Sequence, residues 1–164
     1  MRGISRLFHS LRDLMVLGAF CCGVVGCDAA VILDNSPPRV TWVAVQPPEE
    51  GVSAVTIWLL DLEGDPVDLD MRWSAAGVDG DQVATQAGNG HGRVGLMTRR
   101  GRLEPNGQAH ELTWSVDGVP IGEEVRLSFT PTDDQGHTGE TVVTPAFVLE
   151  DGLPEPVAFP VETQ

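Results

Sequence analysis

The chain has 164 residues and is strongly acidic, with 24 acidic side chains against 10 basic ones and a formal net charge of −14 at pH 7. So negative a chain repels nucleic acid and anionic lipid, which excludes the partners most often recruited by charge alone. Its length suits one domain with an apolar core, and the sequence shows no internal repeat.

The amino end predicts a secretory signal. Three arginines lie within the first twelve residues, and an uncharged run, residues 14–25, follows and ends in small residues. A basic head before a short apolar run is typical of a signal peptide, and the run is too short for a comfortable membrane span. The alternative is a buried or amphipathic N-terminal helix, which the glycines in and after the run disfavour.

Residues 24–27, Val-Val-Gly-Cys, resemble the lipobox of bacterial lipoproteins. In that family the signal peptide, here residues 1–26, is removed and the new terminal cysteine, here Cys27, is acylated on its sulfur and amino group. Several acyl chains anchor firmly, because each buried methylene contributes about 0.8 kcal/mol and one chain alone is marginal. The alternative is a free or paired thiol; Cys21 and Cys22 leave with the signal, so Cys27 would have no cysteine partner.

Cleavage before Cys27 would change the charge of the chain. It removes three arginines and Asp13, which leaves 7 basic residues, all arginine, against 23 acidic ones and a net charge of −16. Asp28 resembles the signal that keeps lipoproteins of enteric bacteria in the inner membrane. That rule varies between bacterial groups, so the resemblance implies a lipid anchor in the cell envelope, in the inner or the outer membrane, with the domain on the periplasmic or surface face.

After a polar, proline-ended tether at residues 27–38, the apolar residues follow a period of two, which predicts strands. In residues 67–73, four apolar residues alternate with three charged ones, so one strand face enters a core and the other meets water. Residues 52–60 are apolar enough to be covered on both faces. The predicted strands are residues 39–45, 52–60, 67–73, 110–114, 125–132 and 141–149, with 93–98 as an edge strand in the glycine-rich segment 74–108.

Six or seven short strands without a helical period predict an all-β fold, a two-layer antiparallel β-sandwich over residues 39–150. Its core is predicted to contain Trp42, Trp58, Trp73 and Trp114, and each buried indole nitrogen then needs a hydrogen-bond partner or an outlet to solvent. The proline-rich tail, residues 151–164, is predicted to be extended or frayed.

The segment DLEGDPVDLDMRWS, residues 61–74, is similar to the immunoglobulin-like and fibronectin-type-III-like modules of bacterial surface proteins. The matching features are a turn before an alternating strand and an aromatic residue near the end of that strand, here Asp61, Gly64, Asp65, Pro66, Val67 and Trp73. HELTWSVDG and VRLSFTPTDDQG agree with such modules, and the likeness spans roughly residues 34–149. It implies an immunoglobulin-like sandwich of about seven strands that serves in display, adhesion or spacing, and it does not transfer a particular function.

Cadherin-like relatives of this sandwich hold Ca²⁺ between carboxylates of the preceding linker and of turns at one end. The resemblance therefore implies a candidate calcium site, because calcium takes six to eight oxygen ligands in flexible geometry. The alternative is ordinary turn capping, since aspartate beside glycine or proline caps the local backbone. The candidate ligands are Asp34 with Asn35 in the linker, Asp61, Glu63 and Asp65 in one turn, and Asp133 and Asp134 in another.

The sequence TRRGR, with Arg99, Arg100 and Arg102, is the basic cluster of an otherwise acidic chain. It predicts either a site for an anionic partner or lipid head group, or a solvated hairpin tip that balances nearby acids.

Motifs for catalysis are missing from the sequence. HELTW lacks the second histidine of a zinc protease, and GNGHG does not follow a strand and open a helix as a phosphate cradle does. The histidines at 91, 110 and 137 are predicted to be surface side chains. We therefore expect a protein that is not an enzyme.

These patterns favour a binding, adhesion or spacer module that holds a rigid acidic platform near a membrane and presents loops to a protein or glycan partner. Two alternatives stay open: a calcium-stiffened adhesive domain, and an accessory subunit of an envelope enzyme or transport complex.

Overall fold

A computed structural model describes residues 35–88, 90–98, 107–150 and 157–160. Within these ranges the protein is all-β, with two antiparallel sheets and no helical residue, so the predicted β-sandwich is confirmed as an architecture. This part of the chain has no helix long and apolar enough to cross a membrane. The strands are β1 (Arg39–Val45), β2 (Val52–Leu60), β3 (Val67–Ala75), β4 (Gln82–Val83), β5 (Gln108–Ser115), β6 (Glu124–Asp133), β7 (Val142–Val143), β8 (Phe147–Val148) and β9 (Val157–Pro160).

The strands form two sheets that share one core. The first sheet has the order β5-β2-β1-β9, and the second has the order β4-β3-β6-β7, with β8 also paired to β6. Side chains from the inner faces of both sheets form a single buried apolar cluster, which is what holds two such layers together.

Buried residues alternate with exposed or half-buried ones along β3 and β6, and the apolar residues face the core as predicted. The charged residues between the apolar ones of β3 are exposed, and the two strands pair over nine consecutive positions. Inward-facing residues of one strand therefore lie beside inward-facing residues of the other. The buried positions are Val67, Leu69, Met71 and Trp73 in β3 and Val125, Leu127 and Phe129 in β6.

The central strand β2 is covered on one face, not on both as predicted. Val55, Ile57 and Leu59 are fully buried, whereas the residues between them are half-buried. The outer side chains are partly shielded because β1 and β5 flank β2 within the sheet, but no second layer lies over them in the described ranges.

Two of the four tryptophans lie outside the core, which contradicts the prediction for them. Trp73 and Trp114 are buried, but Trp42 and Trp58 lie opposite each other on the outer face, with ring centroids 6.0 Å apart and planes at 80°. An irregularity in the β1–β2 register between Val40 and Trp42 shifts the alternation by one residue, so Trp42 turns outward. The indole nitrogen of the buried Trp114 has no hydrogen-bond partner, contrary to expectation.

Predicted strand bounds hold best in the regular part of the chain. Residues 39–45 and 52–60 agree to the residue, and β3, β5 and β6 are slightly longer than predicted. Residues 93–98 are not a strand: the backbone bends at Gly95, whose φ is 65°, and contacts β3 through an isolated bridge between Leu96 and Val67 and a hydrogen bond from the Leu69 amide to the Arg93 carbonyl. Residues 141–149 split into β7 and β8 around Pro145, because proline has no amide to donate to a ladder. Val157–Pro160, within the predicted tail, is a strand on β1.

Replacing Phe129 by alanine is expected to lower the free energy of unfolding by about 3–5 kcal/mol, because it removes a fully buried ring and leaves a cavity. Val83→Ala is the control on edge strand β4, where the side chain is 62% exposed; its expected change is within about 0.5 kcal/mol. Urea unfolding of both variants is the measurement. Equal losses would contradict the placement of Phe129.

Candidate functional site

The two predicted acidic turns meet at one end of the sandwich, because Val67 at the start of β3 pairs with Asp133 at the end of β6. The amide of Asp134 donates to the carbonyl of Pro66 at 3.1 Å, and the Gln135 side-chain amide donates to a carboxylate oxygen of Asp65 at 2.9 Å. We call this group the acidic end. Its members are Asn35, Asp61, Glu63, Asp65, Asp133, Asp134, Gln135 and His137.

Asp61 caps the loop between β2 and β3 from a buried position, with 1% of the residue exposed. Its Oδ1 accepts hydrogen bonds from the backbone amides of Glu63, Gly64 and Asp65 at 2.9, 2.7 and 3.0 Å. One carboxylate oxygen thereby accepts hydrogen bonds from three backbone amides that have no carbonyl acceptor within the turn. Its Oδ2 is buried and has no hydrogen-bond partner.

Asp133 performs the same task in the turn after β6. Its Oδ1 accepts the amides of Gln135 and His137 at 2.9 and 2.8 Å, and its Oδ2 lies 3.1 Å from Nδ1 of His137. Burial by itself raises the pKa of Asp133, but the hydrogen bonds from His137 and Gln135 outweigh it and hold the pKa below its ordinary value. The ionised form of Asp133 is therefore the form that the fold stabilises.

Asp65 has the opposite shift. Burial raises its pKa, the carboxylates of Asp61, Asp134 and Asp133 raise it further by repulsion, and the hydrogen bond from Gln135 opposes them. The acidic end is thus a region of negative potential that the protein's own groups neutralise only in part.

The segment leading into β1 is attached to the acidic end. Asn35 Nδ2 donates to Asp133 Oδ2 at 2.6 Å across 98 residues of sequence, and the amide of Ser36 donates to Glu63 Oε2 at 3.2 Å. Close by, a Cβ atom at Gly139 would collide with the carbonyl oxygen of Pro38, so only glycine fits there. These contacts fix where the chain enters the domain.

This geometry is that of two capped turns joined by a linker. Among the described residues, no group of three or more His, Cys, Asp or Glu side chains is arranged to hold a metal ion. The turns that carry Asp61, Glu63 and Asp65, and Asp133 and Asp134, lie side by side, and Asp34 lies outside the described residues. The calcium site stays a prediction.

His91 and His137 are exposed as predicted, whereas His110 is buried, which contradicts the prediction for it. His110 is 7% exposed, and its Nε2 lies 2.6 Å from the carbonyl oxygen of Met97. It occupies an inward position of β5, in step with Leu112 and Trp114, which is why it is buried. His91 is exposed and its ring lies 5.5 Å from that of His110. The His137 side chain is 46% exposed and contacts the buried Asp133.

The predicted basic cluster, Arg99, Arg100 and Arg102, and the predicted lipidation site, Cys27, lie outside the described residues and stay predictions. An arginine that the sequence did not single out, Arg93, has its Nε and Nη2 buried without a partner. Burial lowers its pKa, and the carboxylate of Asp70 opposes that shift.

In comparisons with known proteins, no family model, curated protein or solved structure matches this chain.

Asp133→Asn is expected to destabilise the protein at pH 7 by about 1–3 kcal/mol, because the buried carboxylate accepts four close polar contacts. The folded pKa is depressed, so the stabilisation is present above the ordinary pKa and is lost as pH falls through the folded value. The stability gap between wild type and variant should therefore narrow below about pH 4.

Urea unfolding at pH 7 and at acid pH measures that gap, with Asp134→Asn as the exposed neighbour for control. A gap that widens as the pH falls would contradict the assignment.

Proposed function

We propose that this protein is a bacterial envelope lipoprotein whose immunoglobulin-like sandwich acts as a non-catalytic binding, adhesion or spacer module. The strand order carries the proposal. With β1, β2 and β5 labelled A, B and E, and β3, β4, β6 and β7–β8 labelled C, C′, F and G, the sheets read E-B-A, with β9 added beside A, and C′-C-F-G. Immunoglobulin-type domains divide their strands between two sheets in the same way.

The attachment of the linker supports the presenting role. Cys27 lies eight residues before Asn35, a span of at most about 30 Å, and Asn35 is bound to the acidic end. A lipid on Cys27 would therefore keep the acidic end next to the membrane. The loops at the opposite end, residues 46–51, 76–81 and 116–123, would then point away from it and meet a protein or glycan partner.

Cys27 is expected to carry the anchor. Full-length protein expressed in its native host should fractionate with membranes and show an acylated N-terminal cysteine by mass spectrometry, whereas Cys27→Ser should lose the acyl mass and leave the membrane fraction. Circular dichroism of both proteins is the control for folding. An unmodified Cys27 in the native host would contradict the lipoprotein proposal.

The same anchored protein separates the module from the accessory-subunit alternative. Capture from detergent-solubilised envelope with an intact enzyme or transporter in fixed ratio would favour the accessory subunit. The presenting module would be favoured if a ligand is captured whose binding is lost in variants of the loop 116–123. The same binding should be unchanged in variants at the acidic end.

A calcium-stiffened adhesive domain is the second candidate, favoured by two buried oxygens without a partner, Asp61 Oδ2 and Asn35 Oδ1, beside the raised pKa of Asp65. If calcium binds with a Kd of about 0.1–1 mM, 10 mM Ca²⁺ should add about 1.4–2.7 kcal/mol of stability. Thermal melts with Ca²⁺ or Mg²⁺ measure this, with Asp65→Asn expected to remove the Ca²⁺ effect. An unchanged Tm together with no heat in calorimetry at millimolar Ca²⁺ ends this candidate.

A further inference from the structure

The edge of the first sheet is completed by a short strand that comes late in the chain. β9 pairs antiparallel with β1 at four positions, including Val43 with Phe159 and Val45 with Val157. Opposed residues share a face, so Val157 and Phe159 lie on the inner side with the buried Val43 and Val45. The Phe159 ring lies 5.7 Å from that of Phe147 in the second sheet.

β9 is shorter than the strand β1 with which it pairs. β1 has seven residues, but β9 has only four, and the last of these, Pro160, has no amide to donate. Val157 and Phe159 are half-buried, unlike the fully buried Val43 opposite. A small open pocket lies at the seam, lined by Val45, Pro47, Phe147, Leu149 and Val157 among others.

The opposite edge of the same sheet is closed differently. There, residues 85–88 and 90–91 lie beside β5 and form backbone hydrogen bonds with it: Ala87 donates to Thr113, Ser115 donates to Thr85, and His91 donates to Glu111. The β1 edge, in contrast, is covered by β9, which follows β8 along the chain.

Departure of β9 would leave β1 as an unpaired edge. Its residues, Arg-Val-Thr-Trp-Val-Ala-Val, are rich in β-branched and aromatic side chains, and its other side is already paired with β2. Such an edge recruits another strand with its free amides and carbonyls. The strand that fits best is one with the pattern of β9, apolar at the two inward positions and small at the position opposite Ala44.

We propose that the β1 edge is a strand-exchange site and that its second occupant is Val157–Pro160 of another copy of this chain. Two molecules would then form a reciprocal dimer in which each β9 pairs with the β1 of the partner. A swapped contact of this kind reuses the pairing of the monomer, needs no new surface and closes with two-fold symmetry. The proposal does not depend on the lipid anchor.

Single-cysteine variants of the full chain test the exchange, in a background whose native cysteines are serine. Ala44 and Ala158 lie opposite each other, within the distance that a disulfide spans. After incubation of Ala44→Cys with Ala158→Cys at high concentration and mild oxidation, a disulfide-linked dimer of the two different chains is expected. Thr56→Cys mixed with Glu111→Cys is the matched control, because this pair is also opposed on the outer face but lies between β2 and β5.

The double variant Ala44→Cys/Ala158→Cys reports on pairing within one molecule. Adding Phe159→Asp to the Ala158→Cys chain should abolish the linked dimer, since it removes the inward ring of β9. The proposal is overturned if the mixture yields no more linked dimer than the control pair. In that case, closure of the internal disulfide in the double variant would show that β9 is fixed on β1 of its own chain, and failure to close would show that β9 is not on β1.

Discussion

Nine consecutive residues of β3 lie opposite nine of β6, from Val67 beside Asp133 to Ala75 beside Val125. This register turns the apolar residues of both strands toward the first sheet and turns Asp68, Asp70 and Arg72 toward water. It also brings the loop before β3 against the turn after β6, which creates the acidic end. A slip of one residue would bury the charges, expose the core and separate the two turns.

The regular strands could be predicted because the alternation of their apolar and polar residues is a local pattern of the sequence. β1 and β2 agree to the residue, and β3 and β6 have the predicted inner faces. Features that depend on pairing were not predictable from local sequence. The irregularity that turns Trp42 outward exists only relative to β2, the strand character of Val157–Pro160 exists only on β1, and Pro145 divides a run that looked continuous.

The candidate site shows the same division. Each turn carboxylate was recognisable from its neighbouring glycine or proline, but the sequence does not indicate that Asp61 gives one oxygen to three amides or that Asn35 binds Asp133 across 98 residues. The structure adds that the linker and both turns are bound together. If Cys27 carries the lipid that we propose, the chain from the lipid enters the domain at the acidic end, which suits a platform that presents its far loops.

The register of β3 against β6 is tested most directly by solution NMR, through interstrand proton contacts and amide exchange. This register predicts contacts between the backbone protons of opposed residues, such as Met71 with Phe129 and Leu69 with Pro131, and slow amide exchange at the centre of both strands. Contacts displaced by one residue along β6, or helical shifts in residues 67–75, would contradict it.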